Sequence, residues 1–300
     1  MPHPLGLSSL RNSFFLSLPA DEFSAAATSL ALRPATTLRV ATWNIWFDAL
    51  HMEERLNHMM RLLLREAPDF IGLQEVTQRV QDALRSSAAL LQLYDISPFD
   101  VGHYGCLVLA RRDFQAAFKQ VELPTEMGRS LILADATARL DVTFATVHLE
   151  SLDSASTRAA QLEEAARQLA PCRHAVLCGD FNFDSQQAWA DWRRSRRKRT
   201  PPERLEESAL PSRLPGFVDA WPAVHPGERG ITFDGEHNPY VHDRGECMRY
   251  DRIMVHRLRP VGASLLGSLS SANEPDSTQA YTAGATPSDH YGVVADLARD

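Results

Sequence analysis

Six short polar clusters follow apolar, strand-like segments of the chain, and their residue types suit chemistry on a phosphate ester. The clusters are Trp43-Asn44, Gln74-Glu75, His148-Leu149-Glu150-Ser151, Gly179-Asp180-Phe181-Asn182, Arg249-Tyr250-Asp251-Arg252 and Ser288-Asp289-His290. Carboxylates bind hard cations and accept protons, while amides and imidazoles donate hydrogen bonds to phosphoryl oxygens. Each cluster is a weak signal alone, so the interpretation depends on their joint occurrence in this order.

Glu75 is the first candidate cation ligand. It follows the apolar segment DFIGLQ, so its carboxylate is expected at the end of a strand. Mg²⁺ binds about six oxygens and keeps several of them as water, so one or two protein carboxylates suffice. Taken alone, Glu75 is better interpreted as a glutamate at a helix N-terminus, where the helix dipole favours negative charge.

Asp180 and Asn182 offer a base and an amide donor on one side of an extended segment. The apolar strand Ala175–Cys178 leads into Gly179, which allows close approach, and then to Asp180. Because side chains two residues apart on an extended chain share a side, both can face one substrate. Asp180 could deprotonate a water, and Asn182 could donate to a phosphoryl oxygen that gains charge in the transition state. The alternative is an Asp/Asn turn after a strand.

Two histidines at strand ends are candidate phosphate donors. His290 needs an acid to orient its ring, and Asp251 is the candidate partner. His148 ends another strand and is the second candidate donor. A lone histidine is more often structural, but two of them beside Asp or Ser residues favour a functional role.

The element pattern predicts an α/β (α+β) fold with two packed, mostly antiparallel sheets flanked by helices. Apolar residues at helical spacing predict helices over Met52–Glu66, Val76–Leu93 and Ser154–Leu169. Strand signals cover Leu38–Trp46, Asp69–Leu73, Gly105–Ala110, Phe118–Leu123, Ser130–Ala136, Val142–Leu149, Ala175–Cys178, Arg249–His256 and Tyr291–Leu297. Strict alternation of strands and helices is absent, which disfavours a doubly wound parallel sheet.

Size and charge limit the function classes. The 300 residues suffice for one large domain, and the formal net charge of −7 excludes a surface that binds polyanions generally. Nucleic-acid contact would therefore need a local basic groove or a metal ion. The four cysteines lack metal-ligand or redox spacing and predict reduced thiols in a core, which suits an intracellular protein of the nucleus or cytoplasm. No apolar run is long enough to span a bilayer.

Residues 1–37 are rich in Ser, Ala, Leu and Pro, which predicts a disordered tail before a single domain at 38–300. A cleaved organelle presequence is the alternative for this tail. Within the domain, 184–215 is interpreted as an insertion that carries the basic run Arg193–Arg199. That run is equally consistent with a nuclear-import signal, a nucleic-acid contact or a solvated loop.

Read in order from residue 38 to 297, the six clusters resemble the endonuclease/exonuclease/phosphatase superfamily. The resemblance implies a four-layered α/β sandwich with one site at the end of both sheets. It also implies a hydrolase that uses Mg²⁺, with Mn²⁺ as a substitute, and an Asp-activated water that attacks a phosphate ester. Asn44 and Glu75 would lie at the cation, Asp289 close to it, and Asp251 would orient His290. The catalytic residues implied are His148, Asp180, Asn182, Asp251, Asp289 and His290.

Longer sequence stretches around these clusters resemble the 5′-tyrosyl-DNA phosphodiesterases within that superfamily. The stretches are Thr42-Trp43-Asn44-Ile45, Leu73-Gln74-Glu75-Val76, His148-Leu149-Glu150-Ser151, Ile231-Thr232-Phe233-Asp234, Arg249-Tyr250-Asp251-Arg252-Ile253 and Ser288-Asp289-His290-Tyr291-Gly292. A nucleic-acid 5′ end is the substrate implied, and we expect a monomer. The expected substrate-binding residues are Asn44, Phe233, Arg249 and Tyr291.

One position departs from that family. Trp46 stands where the family carries an acid two residues after the asparagine. Either Asp48 or Glu53 compensates, or the cation holds one more water. Family contacts to DNA around Trp46 therefore do not transfer directly to this chain.

Three hypotheses about function stay open at this point. The first is hydrolysis of a 5′-phosphotyrosyl bond in DNA end repair. The second keeps the chemistry and changes the substrate, as in an RNA deadenylase, an inositol-phosphate phosphatase or a sphingomyelin hydrolase. The third is a catalytically dead scaffold on the same fold. A scaffold has no physical need for the competent set Glu75, Asp180, Asn182, Asp251 and His290.

Overall fold

The structure is a computed structural model that describes residues 16–188, 205–268 and 286–299. The strands in these ranges are β1 Thr37–Asn44, β2 Phe70–Thr77, β3 Tyr94–Ile96, β4 Tyr104–Arg111, β5 Ala117–Glu122, β6 Ser130–Asp135, β7 Val142–His148, β8 His174–Asp180, β9 Phe217–Asp219, β10 Phe233–Asp234, β11 Cys247–Met248, β12 Asp251–His256, β13 Arg259–Leu266 and β14 Gly292–Ala298. The helices are α1 Ala20–Leu32, α2 Met52–Glu66, α3 Gln78–Ser86, α4 Leu90–Leu93, α5 Thr137–Leu140, α6 Ala155–Leu169, α7 Leu210–Arg213 and α8 Ala220–Val224. None of these helices combines the length and apolar character needed to cross a membrane.

The strands form two six-stranded sheets and a short hairpin. The first sheet has the order β13-β14-β1-β2-β4-β3, and the second has the order β5-β6-β7-β8-β12-β9. β1 and β2 pair in parallel, as do β7 and β8, whereas the other neighbours are antiparallel. β10 and β11 pair outside both sheets. The predicted class, an α/β (α+β) fold with two mostly antiparallel sheets, is confirmed.

Large apolar side chains hold the two sheets face to face. Phe70 of the first sheet and Phe144 of the second stack with ring centroids 5.1 Å apart. The sheets approach closely at Gly72, where a Cβ would lie 2.5 Å from Thr146 Oγ1. Helices α1, α2 and α3 cover the outer face of the first sheet, and α6 covers that of the second. The result is the layered sandwich that the family resemblance implied.

Helix α2 has the predicted bounds because its pattern is strongly amphipathic. Leu56, Met59 and Leu63 lie on its buried face. The predicted single helix Val76–Leu93 is wrong in extent. Strand β2 continues to Thr77, whose hydroxyl accepts a hydrogen bond from the Val80 N–H and so begins α3. A break at residues 87–89 then separates α3 from α4.

The N-terminal segment is part of the domain from residue 20 onward. In α1, Ala26 and Leu30 are only 1% and 3% exposed, and they pack against the core beside α2. Glu22 forms ion pairs of 2.9 Å with Arg61 and 3.1 Å with Arg65, both on α2. The prediction of a disordered tail through residue 37 is therefore wrong for residues 20–37, because a Ser- and Ala-rich composition concealed an amphipathic helix. Residues 1–15 lie outside the described residues.

Both ends of the interpreted insertion at 184–215 belong to the packed domain. Asp184 is 2% exposed and accepts a hydrogen bond of 2.7 Å from the Arg249 N–H. Leu210 and Leu214 pack into the cluster beneath α6. The basic run Arg193–Arg199 lies outside the described residues.

Leu30 tests whether α1 stabilises the domain. We expect Leu30→Ala to lower the free energy of unfolding by about 3 kcal/mol, because it removes buried methyl groups and leaves a cavity. Leu32 on the same helix is 76% exposed, so Leu32→Ala should change stability by less than about 0.5 kcal/mol. Urea denaturation measures both, and equal effects would mean that α1 does not dock.

Candidate active site

The strands bring the predicted polar residues to one end of the two sheets. Asn44 ends β1, while His148 and Asp180 end the parallel strands β7 and β8, where they are register partners. Asp251 begins the antiparallel strand β12 directly opposite Asp180. His290 lies just before β14 and bridges to Phe233 of β10. Residues far apart in sequence therefore share one site.

Asp180 is the centre of the site. It is 2% exposed, and its Oδ2 accepts a hydrogen bond of 3.0 Å from Asn44 Nδ2. The same oxygen lies 3.4 Å from His148 Nε2 and 3.9 Å from His290 Nε2. Its Oδ1 accepts from the Asn182 N–H at 2.8 Å. Burial opposes the charge, but the two imidazoles and these donors hold the pKa of Asp180 below its usual value, so it is an ionised carboxylate.

Gly179 is the local reason that β8 can present Asp180 beside β7. Its φ of 138° is one that L side chains rarely adopt. A Cβ at this position would lie 1.8 Å from the Val147 carbonyl oxygen. The close approach predicted for this glycine is therefore present.

Asp251 orients His290, as predicted. Asp251 Oδ2 accepts a hydrogen bond of 2.7 Å from His290 Nδ1, and both side chains are buried. Burial alone would lower the pKa of His290, but the charge of Asp251 and that hydrogen bond raise it well above the usual value. The Phe233 ring lies 4.9 Å from the imidazole. His290 is thus held as a donor whose Nε2–H faces the Asp180 side of the site.

His148 is neutral, whereas His290 is charged. Burial, together with the nearby Arg129, lowers its pKa to about 3 although Asp180 raises it. Arg129 Nη1 lies 3.1 Å from His148 Nδ1, and a guanidinium can only donate, so Nδ1 is the acceptor. The proton of the neutral ring is then on Nε2, 3.4 Å from Asp180. The two histidines present Nε2–H groups to one carboxylate oxygen from two sides.

Glu75 enters the site through an irregularity in β2. The pairing of β2 with β4 changes register between Leu73 and Val76, and Glu75 has a φ of 59°, which is uncommon for residues other than glycine. Its Oε2 accepts a hydrogen bond of 3.0 Å from the Phe47 N–H. A local bulge of this kind re-aims a side chain that a regular strand would direct to its other face.

The carboxylates at this end of the sheets fit a hard divalent cation. Burial raises the pKa of Glu75, and the charge of Asp180 adds to the effect. Burial also raises the pKa of Asp289 to about 7, with His290 opposing and Glu75 reinforcing the shift. Mutual repulsion of these partly buried carboxylates is what a bound Mg²⁺ would relieve. Asn44 Oδ1 already accepts a 3.0 Å hydrogen bond from the Trp46 N–H, so it has one remaining lone pair to offer.

Among the described residues, Asp180, Asp251 and His290 form the group whose candidate metal-ligand atoms all lie within 4.8 Å of one another. Asp251 Oδ2 and His290 Nδ1 are already joined by a hydrogen bond of 2.7 Å. A cation there would have to displace that hydrogen bond. We therefore interpret Asp251 and His290 as a hydrogen-bonded pair beside Asp180, and Glu75 as a cation ligand stays a prediction.

Arg249 does not have the position that we predicted for it. We predicted that it binds substrate, but its Nη1 donates to Asp219 Oδ2 at 2.6 Å, and Arg252 pairs with the same carboxylate at 3.0 Å. Glu207 contributes to this buried ion-pair cluster. A guanidinium that is 3% exposed needs such partners to offset its desolvation. Arg249 therefore anchors β12 to the segment after residue 205.

The other expected substrate residues have different surroundings. Asn44 and Phe233 lie beside Asp180 and His290 respectively. Tyr291 is 3% exposed and lines a cavity of about 670 Å³ together with Trp221 and Arg229. Contact of these residues with substrate stays a prediction.

Trp46 does not mimic the missing acid. Its ring lies between the Arg55 guanidinium, 4.6 Å from the ring centroid, and the Tyr240 ring at 4.7 Å. Arg55 also donates to backbone carbonyls, including those of Trp46 and Asp48. Trp46 therefore makes aromatic contacts where the resemblance implied an acid.

Three supporting residues were not found from the sequence. Arg129 fixes the tautomer of His148. Asn238 is fully buried and donates to the carbonyls of Ser288 and Asp289. Arg55 holds the loop after β1. Each lies outside the six clusters, and its only sequence signal is a polar residue within an otherwise apolar or turn segment.

The comparisons with known proteins agree with this geometry. A model described as the Endonuclease/Exonuclease/phosphatase family matches residues 41–290. Tyrosyl-DNA phosphodiesterase 2 from Xenopus tropicalis is 24% identical over 268 residues, which cover 86% of this chain. The chain spans 65% of the length of that relative.

Solved structures share the fold at low sequence identity. TDP2 from D. rerio, complexed with a single-strand DNA product, has a TM-score of 0.66 at 22% identity, covering 87% of this chain and 99% of that one. Truncated TDP2 from Caenorhabditis elegans has a TM-score of 0.64 at 21% identity over 87% and 97% of the two chains. An endonuclease/exonuclease/phosphatase from Bacteroides vulgatus has a TM-score of 0.60 at 20% identity over 88% and 100%. Together with the family match over residues 41–290, the architecture places this chain plainly: it belongs to the endonuclease/exonuclease/phosphatase family.

Proposed function

We propose that the protein is a divalent-metal-dependent phosphodiesterase that hydrolyses a phosphate ester with a water activated by Asp180. One observation carries this proposal. An ionised, buried carboxylate lies within 3.9 Å of two imidazole Nε2 atoms and beside the amide of Asn44. Such an arrangement offers a proton acceptor and two donors to a group that binds between them.

The residues have distinct tasks in the proposed reaction. Asp180 accepts the proton of the attacking water. Neutral His148 and charged His290 donate to phosphoryl oxygens through Nε2–H, and they stabilise the charge that grows there in the transition state. Asn182 now donates to the Leu149 carbonyl at 3.0 Å, so its backbone N–H to Asp180 is its main contribution. A bound Mg²⁺, held by Glu75 and Asn44 with Asp289 nearby, would act as a Lewis acid toward the ester oxygens.

A 5′-phosphotyrosyl bond at a DNA end is the substrate that we propose. Support comes from the frog relative, a tyrosyl-DNA phosphodiesterase, and from the D. rerio structure with its single-strand DNA product. Within this chain, Phe233 packs against His290 and places an aromatic ring at the edge of the site. Aromatic side chains next to a phosphate site favour a nucleotide over a sugar phosphate.

The first test combines a panel of substrates with replacement of Asp180, the proposed general base. A 5′-tyrosyl oligonucleotide, an abasic duplex, poly(A), inositol phosphates and sphingomyelin are each incubated with Mg²⁺. We expect cleavage of the tyrosyl substrate, and a loss of about 10²–10⁴-fold in kcat for Asp180→Asn, because the amide cannot accept the proton. The matched control is Asp135→Asn on the exposed end of β6, which should keep full activity.

Cleavage confined to poly(A) or lipid would reject the tyrosyl substrate and keep the chemistry. Near-full turnover by Asp180→Asn, with an unchanged circular-dichroism melting curve, would reject the chemistry itself.

Metal dependence is the second test. We expect dialysis against EDTA to abolish activity and Mg²⁺ or Mn²⁺ to restore it. Glu75→Gln should raise the Mg²⁺ concentration for half-maximal activity by at least about tenfold, because the amide lacks the charge that binds the cation. Glu122→Gln, at an exposed position of β5, is the control. Titration calorimetry that shows equal Mg²⁺ affinity for wild type and Glu75→Gln would contradict the assignment.

The Asp251–His290 pair predicts a change in pH dependence. Asp251 raises the pKa of His290, so the charged imidazole persists through neutral pH and is lost only as pH rises through that elevated pKa. Asp251→Asn removes the carboxylate, so the pKa of His290 falls. The alkaline limb of kcat/KM against pH, measured at saturating Mg²⁺, should therefore move to lower pH. An unmoved limb would show that His290 does not act as the charged donor.

A further inference from the structure

A buried polar network joins the two sheets directly beneath the site. Gln74 Nε2 on β2 donates to Thr42 Oγ1 on β1 at 3.0 Å and to Thr146 Oγ1 on β7 at 2.8 Å. The Thr146 hydroxyl donates in turn to the Cys178 carbonyl on β8 at 3.3 Å. All four residues are fully buried. Two strands from each sheet therefore share one chain of hydrogen bonds.

The link between the sheets has a fixed direction. Because the single proton of the Thr146 hydroxyl goes to the Cys178 carbonyl, Thr146 Oγ1 can only accept from Gln74. The gap at this level is narrow, since a Cβ at Gly72 would lie 2.5 Å from Thr146 Oγ1. Hydrogen bonds weaken steeply when their geometry is changed, whereas the apolar burial around them is non-directional. The network therefore resists sliding of one sheet over the other.

Each member of the network is close in sequence to a residue of the site. Three members lie two positions before a site residue on the same strand, and the pairs are Thr42 with Asn44, Thr146 with His148, and Cys178 with Asp180. Gln74 comes directly before Glu75, the residue of positive φ, and is the register partner of Asn44. A shift within the network would therefore be passed to the strand ends that carry the site.

The site itself is divided between the sheets. The first sheet and the segment before β14 carry Asn44, Glu75, Asp289 and His290, and the second sheet carries His148, Asp180 and Asp251. Two hydrogen bonds cross between these halves within the site, from Asn44 to Asp180 and between His290 and Asp251. Asn44 and His290 are also proposed to bind the cation and the phosphate. The network beneath uses residues with no such task, so its hydrogen bonds are independent of ligand binding.

We propose that Gln74 is a positioning residue that keeps the cation half of the site in register with the half that carries Asp180 and His148. This inference rests on the proposed phosphodiesterase function and concerns its geometry. A misplacement of about 1 Å between reacting groups can cost roughly 100-fold in rate. Each half keeps its own residues when the network is removed. Binding is therefore expected to survive, while turnover falls.

The test separates positioning from stability. Gln74→Met removes the donor shared by two buried hydroxyls, whereas a triple variant that combines it with Thr42→Val and Thr146→Val also removes those hydroxyls. We expect Gln74→Met to lower Tm by about 5 °C, and the triple variant to return to within about 2 °C of wild type. On the 5′-tyrosyl oligonucleotide at saturating Mg²⁺, both variants should lose about 10- to 100-fold in kcat, with KM unchanged within about twofold.

Calorimetry and a matched control complete the design. Titration with Mg²⁺ should give affinities within about twofold of wild type for both variants, because Asn44 and Glu75 are retained. Gln81→Met on α3 is the control, since Gln81 is also fully buried and its Nε2 donates to the Phe99 carbonyl at 2.8 Å. It should lower Tm and leave kcat unchanged.

Failure of the inference differs from failure of the proposed function. Wild type that cleaves none of the substrate panel would overturn the proposed function and this inference with it. With active wild type, unchanged kcat in Gln74→Met, or recovery of kcat together with Tm in the triple variant, would show that the network only stabilises the core. A loss of Mg²⁺ affinity in Gln74→Met, with full kcat at saturating Mg²⁺, would assign Gln74 to the Glu75 bulge alone and reject a role between the sheets.

Discussion

An ionised carboxylate taken out of water determines most of what surrounds it, and here that carboxylate is Asp180. A buried charge must be met by donors or counter-charges, since its desolvation otherwise costs several kcal/mol. Asn44, His148 and the Asn182 N–H meet that need from three different strands or turns. Of these groups, His148 is also one of the two imidazoles that we propose to donate to a phosphoryl oxygen. The hydrogen bonding that stabilises Asp180 and the proposed binding of substrate thus share this imidazole.

Three of the nine described non-glycine residues with positive φ lie where these groups converge. Trp46, Glu75 and Asn182 all have φ between 55° and 59°, and each belongs to or follows one of the polar clusters. Residues held in this region cost of order 1–3 kcal/mol each, so the surrounding core must over-determine them. The stacked Phe70 and Phe144 belong to the core between the two sheets that carry these residues.

The parts that sequence reasoning could predict are those set by local pattern. The strands that carry Asn44, His148 and Asp180 to the end of the sheets were predicted within two residues of their ends, because an apolar run leads into polar residues there. The helical spacing of apolar residues gave α2 its bounds. Arg249 failed because its charge is satisfied by Asp219, thirty positions away in sequence and adjacent only after folding. α1 failed because small residues give a weak helical pattern. Pairing between distant segments carries no local signal, so Arg129 and Asn238 were also missed.

The aromatic residue at position 46 affects the electrostatics of the loop after β1. Arg55 donates to five carbonyls, those of Ile45, Trp46, Asp48, Leu50 and Pro287. Arg55 also lies over the face of Trp46, where the attraction is to a quadrupole rather than to a full charge. The positive charge of Arg55 thus still acts on Asp289, whose pKa it lowers against the effect of burial. An acid at position 46 would compete for that charge, so an aromatic residue there keeps Asp289 closer to the ionised form that a cation needs.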